Sequence, residues 1–197
     1  MNRLIASFAA VALLTTAGAP QAAEAPLWSV EPESSVGFVA RQAGAPVEGR
    51  FERFAAEVRF DAEDLEASRV AVVIEVASVN SESSDRDGVI RSKDLFDVET
   101  WPEARFEAAR FEHAGGDVYE AHGSLTMRDV TLDVVLPFDL KVENDPDDPA
   151  LLRARAQGEL SVMRLDYGVG QGQWRDTSVV ADEVVIRIDI TATRPKG

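Results

Sequence analysis

Cysteine is absent from the 197 residues. That excludes a disulfide framework, thiol chemistry and any thiolate metal site. Histidine occurs only at His113 and His122. They fall on neighbouring predicted strands around Gly115-Gly116, and a metal pair there would need carboxylate partners in a fixed geometry; no metal site is expected. No serine sits in a Gly-x-Ser-x-Gly elbow. The Gly168-x-Gly170-x-Gly172 run lacks the Lys-Ser/Thr that completes a phosphate loop. Basic residues are scarce as well: 20 Lys and Arg stand against 35 Asp and Glu, a formal charge of −15. Such a balance repels nucleic acid and anionic membrane surfaces. Carboxylates abound, but an acid–base pair is defined by a separation in space and not by abundance.

What is present begins with the order of the first 23 residues. Arg3 precedes an apolar, small-residue stretch from Leu4 to Ala17, and Gly18, Pro20 and alanines follow. Charge, apolar stretch and small residues in that order form a secretory signal pattern. The stretch is shorter than the ~20 residues of a membrane-spanning helix. Residues 1–23 are therefore expected to be a signal peptide, cut at Ala23–Glu24, and residues 24–197 one exported domain. Without Arg3 the balance is 19 basic against 35 acidic residues, or −16. An exported chain free of disulfides fits the bacterial periplasm.

Period-two alternation dominates the remainder. Val184, Ile186, Ile188, Ile190 and Ala192 alternate with mostly polar neighbours, the pattern of a half-buried strand. Leu132 to Val142, Phe54 to Phe60 and Val70 to Val79 read the same way, and weaker strands fall at 34–42, 104–113, 118–127 and 151–163. Gly115-Gly116-Asp117 is a hairpin signal. Residues 144–149 read as an exposed acidic loop. Gly49 and Gly158 lie inside strand patterns and suggest bulges or bends. The segment from Ser84 to Val98 breaks the pattern and reads as a short helix or ordered loop. Eight strands in one domain suggest a closed antiparallel barrel, with a sandwich as the alternative. Pattern alone does not decide whether side chains fill such a barrel or leave room for a ligand.

From Trp28 to Thr193 the order of blocks resembles the YceI-like family, lipocalin-like, polyisoprenoid-binding periplasmic proteins. Trp28, Val30, Ser34, Val36 and Phe38 match its opening, followed by Gly49, Phe51, Phe54 and Phe60-Asp61. Val79-Asn80, Arg86-Asp87, Ser92, Phe96-Asp97, Pro102 and Phe106 come next. Gly123 to Arg128, Val130-Thr131, Val134 and Arg164-Leu165-Asp166-Tyr167-Gly168 complete the series. Val89 replaces a frequent histidine, Asp129 a usual glycine, and Leu132-Asp133 a usual Lys-Pro. These departures place the chain in a divergent branch. The Gly170-x-Gly172-x-Trp174 run resembles members that occur with cytochrome b561-type membrane proteins.

The resemblance implies an all-β fold: an extended eight-stranded antiparallel, lipocalin-like barrel with one short helix or two. It further implies a non-catalytic periplasmic carrier whose apolar bore holds an isoprenoid lipid, either a polyprenyl chain or a quinone tail. No cofactor is expected beyond that lipid or quinone. Its bore would be lined by Phe38, Phe54, Val72, Ile74, Phe96 and Phe106, then by Leu125, Met127, Leu136, Phe138, Leu160, Ile186 and Ile188. Arg86, Asp87, Trp101, Arg164, Asp166 and Trp174 are expected to brace the mouth, with Arg86–Asp87 and Arg164–Asp166 as structural ion pairs. Two other readings compete. One is a non-catalytic interaction module with a side-chain-filled barrel, recognising a membrane redox protein. The other is an enzyme on the same barrel, which would need polar groups converging inside the bore.

Overall fold

The computed structural model describes residues 24–196. The expected signal peptide lies outside the described residues. Alternating apolar residues build eleven hydrogen-bonded segments that act as eight staves. β1 (Leu27–Val30) and β2 (Ser35–Gln42) both pair antiparallel with β11 (Glu183–Pro195), through Ser29↔Thr193 and Val36↔Ile188. They form one stave bent at residues 31–34. The bend is held by Ser34, whose hydroxyl donates to the Thr191 carbonyl and accepts from the Thr191 N–H, both at 3.0 Å.

β3 (Ala45–Phe51) and β4 (Phe54–Arg59) make the second stave, paired to β2 and β1 in turn. β5 (Arg69–Glu75) and β6 (Val79–Asn80), joined by a 3-10 turn at Val76–Ser78, make the third. β7 (Glu103–Gly115), β8 (Val118–Met127), β9 (Val130–Asn144), β10 (Leu151–Met163) and β11 follow as single strands, each antiparallel to the one before it. β5 pairs with β7, and β11 returns to β1 and β2, so the sheet closes as an up-and-down barrel without a free edge. α1 (Ser84–Arg91) is the one α-helix among the described residues.

Gly49 and Gly158 are not bulges. Each sits in unbroken register, opposite Phe38 and Phe138. A Cβ on Gly49 would lie 2.4 Å from the Phe38 ring, and one on Gly158 would lie 2.5 Å from the Pro137 carbonyl oxygen. Glycine stands there because something already fills the space of a side chain. The register breaks instead within β7, between Ala108 and Arg110 and between His113 and Gly115. The first break reverses the in–out parity of the strand. It turns Phe111 inward at an odd spacing from Ala104, Phe106 and Ala108.

The 144–149 loop is acidic but not uniformly exposed. The Asp145 side chain is 3% exposed. It accepts from the N–H groups of Asp148 (2.9 Å) and Asp147 (2.8 Å) and from Arg153 Nε (2.8 Å). The Asp148 N–H, and then Arg153, hold this carboxyl below its ordinary range, since hydrogen bonds to the charged form favour it. A depressed folded-state pKa contributes stability that is present above the ordinary carboxylate value and lost as pH falls through the folded value. The melting temperature is therefore expected to drop on acidification below that range, and Asp145→Asn to flatten the drop. Parallel pH profiles for the two proteins would overturn this role.

A candidate lipophilic tube

The inward residues of the eight staves line two adjoining chambers. The lower one, about 160 Å³, is lined only by apolar side chains, among them Phe54, Val72, Phe106, Leu160 and Ile188. Its floor is an aromatic cluster centred on Phe60, whose ring centroid lies 5.4 Å from Phe111, 5.6 Å from Tyr119 and 6.1 Å from Phe138, all near edge-to-face. That geometry suits the ring quadrupoles. Trp28 ties the floor to the wall by donating from Nε1 to the Phe60 carbonyl at 2.9 Å. The Arg194 guanidinium covers the Trp28 ring at 5.0 Å from its centroid.

The upper chamber, about 440 Å³, is lined by Phe38, Phe51, Phe96, Met127 and Val162 and also by Gln42, Ser83, Asp85, Arg86 and Arg164. Val36, Ile74, Leu125 and Ile186 line both chambers and form the neck between them. The bore is thus apolar at one end, where the aromatic cluster lies, and polar at the other.

Two segments cover the polar end. One is α1 with residues 92–101. Ser83 caps α1 by accepting from the Arg86 N–H (3.4 Å), and buried Asp87 accepts from the Ser81 N–H (2.9 Å) and hydroxyl (2.6 Å). The other is residues 164–182, which bond to the first through the Gln171 N–H and the Asp94 carbonyl (2.6 Å) and to the β2–β3 hairpin through Ala43 and Arg41. Arg164, 4% exposed, clasps the second segment. Its Nε, Nη1 and Nη2 donate to the carbonyls of Ala181 (3.0 Å), Val169 (2.9 Å) and Val180 (2.8 Å). Burial pulls this guanidinium's pKa below its ordinary value, against the opposing charge of Asp182. Gly170 gives it room, because a Cβ there would lie 2.0 Å from Arg164 Nη1.

All thirteen residues expected at the bore line one or both chambers. Of the six expected at the mouth, Arg86, Arg164 and Trp174 line the upper chamber. The other three do not. Asp87 is a buried brace of α1, Asp166 is exposed, and Trp101 stacks beneath Arg128, whose guanidinium carbon is 4.3 Å from the ring centroid. The two expected ion pairs do not form. Arg86 donates to the Ser81 carbonyl (2.9 Å), and Arg164 to the three carbonyls above. Residues one or two apart on a helical turn point apart, so neither the i,i+1 pair nor the i,i+2 pair closes.

Sequence reasoning missed Phe111 because of the β7 register break. It also left out Val89, Ile90 and Val169, which enter the upper chamber from the covering segments and follow no strand period. Neither histidine lines a chamber: His122 faces outward beside inward Ala121, and His113, on the same strand face as Phe111, is exposed next to the β7–β8 hairpin. His113 stacks on Tyr119, and His122 lies 3.6 and 3.5 Å from carboxylate oxygens of Glu112 and Glu120. Arg110 already supplies the cation of that group, 2.7 Å from Glu112 and 3.2 Å from His122 Nδ1.

A closed antiparallel barrel with an apolar bore and a polar, covered mouth is a lipocalin-like cavity barrel. The chain belongs to the YceI-like domain family, whose model matches residues 28–192. A "UPF0312 protein" of Azotobacter vinelandii is 31% identical over 147 residues, covering 74% of this chain and 73% of the relative. The crystal structure of Burkholderia cenocepacia BcnA is similar at a TM-score of 0.75 and 32% identity, covering 83% of this chain and 99% of that one. A polyisoprenoid binding domain from Saccharophagus degradans, implicated in plant cell wall breakdown, shares the fold at a TM-score of 0.64 and 16% identity, covering 85% and 98%.

Proposed function

We propose that this protein is a non-catalytic periplasmic carrier that holds an isoprenoid lipid, a polyprenyl chain or a quinone tail, with the tail in the tube and the head at the mouth. The observation that carries the reading is the continuous apolar lining from the neck to the aromatic floor. An isoprenoid tail offers no hydrogen-bonding groups, so its affinity comes from apolar area removed from water, ~25 cal/mol per Å². Ordering costs take back part of that gain. A dry tube meets this need where a few polar anchors would not. The Saccharophagus degradans barrel named for polyisoprenoid binding supports the choice of cargo. Void in both chambers speaks against a side-chain-filled barrel. Neither histidine lines the chambers, which supports a binding role over catalysis. If the cargo is a quinone, a membrane redox protein of the cytochrome b561 type is the natural exchange partner.

The test is native purification from a bacterial periplasm, intact-mass analysis, and organic extraction with mass spectrometry. Loss of about 20–25 residues, the size of a signal peptide, and a prenyl lipid or quinone in near-stoichiometric amount are expected. Protein free of lipid, or carrying only phospholipid acyl chains, would overturn the cargo. Retention of Met1 would overturn the address.

A further inference from the structure

Arginines on the barrel wall mostly face carboxylates. Arg53 meets Glu75 at 2.6 Å, Arg155 meets Asp189 at 2.6 Å, and Arg187 meets Glu159 at 2.8 Å. In a chain of charge −15 such pairing is the expected state of a guanidinium. The two arginines that line the upper chamber are different. Among the described residues, no carboxylate comes within ion-pair distance of either Arg86 or Arg164. Arg164 is spent on three backbone carbonyls, and the nearby Asp182 carboxylate accepts the Leu165 N–H at 3.0 Å. Arg86 makes one bond, from Nη1 to the Ser81 carbonyl. A guanidinium carries five N–H donors, so most of its donors are free. Asp85, its neighbour on α1 and also at the chamber wall, is exposed.

We infer that the mouth selects a lipid with an anionic, phosphate-type head, bound by the free donors of Arg86; this rests on the tube holding a prenyl tail. The chemistry is specific on two counts. A guanidinium fork matches two phosphate oxygens with two parallel charge-assisted bonds, which an alcohol or a quinone carbonyl cannot accept in full. The low-polarity chamber wall strengthens that contact relative to water. A neutral prenyl alcohol would use the same tube and leave most of those donors unpaired.

Isothermal titration of lipid-free protein with farnesyl monophosphate, farnesol and inorganic phosphate tests this. Farnesyl monophosphate is expected to bind at least about tenfold more tightly than farnesol, a difference of ~1.4 kcal/mol. Arg86→Gln should reduce that ratio to within about twofold, 0.4 kcal/mol by the same conversion, while Arg86→Lys retains part of it as a point charge. Excess inorganic phosphate should weaken farnesyl monophosphate and leave farnesol unaffected, which assigns the contact to the head. Equal affinities for the two prenyl compounds, or a ratio that Arg86→Gln does not change, would overturn the anionic head and leave the tube reading standing. Binding of neither compound would overturn the tube reading itself. A dichroism melt of each variant separates lost binding from lost fold.

Discussion

Replacing Ile186 with Trp is expected to cut the long-tailed lipid that co-purifies with the protein by at least about tenfold, ~1.4 kcal/mol. Ile186 lies in β11 between Phe38 and Leu160, the partners it meets across the sheet, and its side chain lines both chambers. An indole there closes the neck. The upper chamber stays open above it, so a short prenyl alcohol should still bind while a long chain cannot reach the floor. The fold is expected to tolerate the change because void lies on either side of the side chain. In a tightly packed core the same substitution would cost ~1–3 kcal/mol by overpacking. Melting must be compared on lipid-free protein, since a bound lipid stabilises the wild type by mass action. Ile188→Trp is the matched comparison, since Ile188 faces only the lower chamber. Wild-type lipid content in Ile186→Trp would show that the tail does not pass the neck. Loss of a cooperative melt in lipid-free protein would show that the interior is packed solid there.

The tube was legible in the sequence where the chain alternates, because a strand's period of two leaves no choice about which residues share a face. β9 and β11 are the clearest cases, with Leu136 and Phe138 on one and Ile186 and Ile188 on the other, all four at the bore. Legibility ended where tertiary contacts override the period. One register break in β7 brings Phe111 to the floor, and no local pattern announces it. Gly49 and Gly158 read as bends because glycine inside a strand has that local meaning. Only the cross-strand register shows that Phe38 and Pro137 occupy the missing side-chain space. The covering segments were the least legible part. Arg164 and Asp166 are two residues apart and of opposite charge, which invites an ion pair. The guanidinium instead reaches carbonyls up to seventeen residues away. Backbone carbonyls carry no residue identity, so a clasp made on them has no sequence signature beyond the arginine itself and the glycine at 170 that makes room for it. The block from Arg164 to Gly168 thereby gains a structural meaning: a clasp, a buried Tyr167, and a left-handed Gly168 that ends the turn.

Phe60→Ala is expected to destabilise the protein by ~3–5 kcal/mol, the range for removing a buried aromatic ring. Phe60 is 8% exposed and lies in the connection from β4 to β5, outside any strand, so no sheet hydrogen bond depends on its side chain. Its backbone bonds, from the N–H to the Pro26 carbonyl and from Trp28 Nε1 to its own carbonyl, survive the substitution. What goes is a ring in edge-to-face contact with three others, each such contact worth ~0.5–1.5 kcal/mol beyond the area it buries. The upper end of the range is expected because the site cannot collapse. Phe111, Tyr119 and Phe138 are fixed on β7, β8 and β9, and the space above them is already empty. For a domain of this size each kcal/mol lowers the melting temperature by ~2–4 °C. Val135→Ala, at a position 44% exposed on the outer wall, should stay within ~0.5 kcal/mol and serves as the control. The floor also closes the tube, so the variant should admit water, and any prenyl tail it retains should exchange faster. Denaturant melts and the release rate of a bound prenyl alcohol measure the two effects separately. A loss below about 1 kcal/mol, the average for any substitution, together with unchanged release, would mean that the aromatic cluster neither supports the barrel nor seals it.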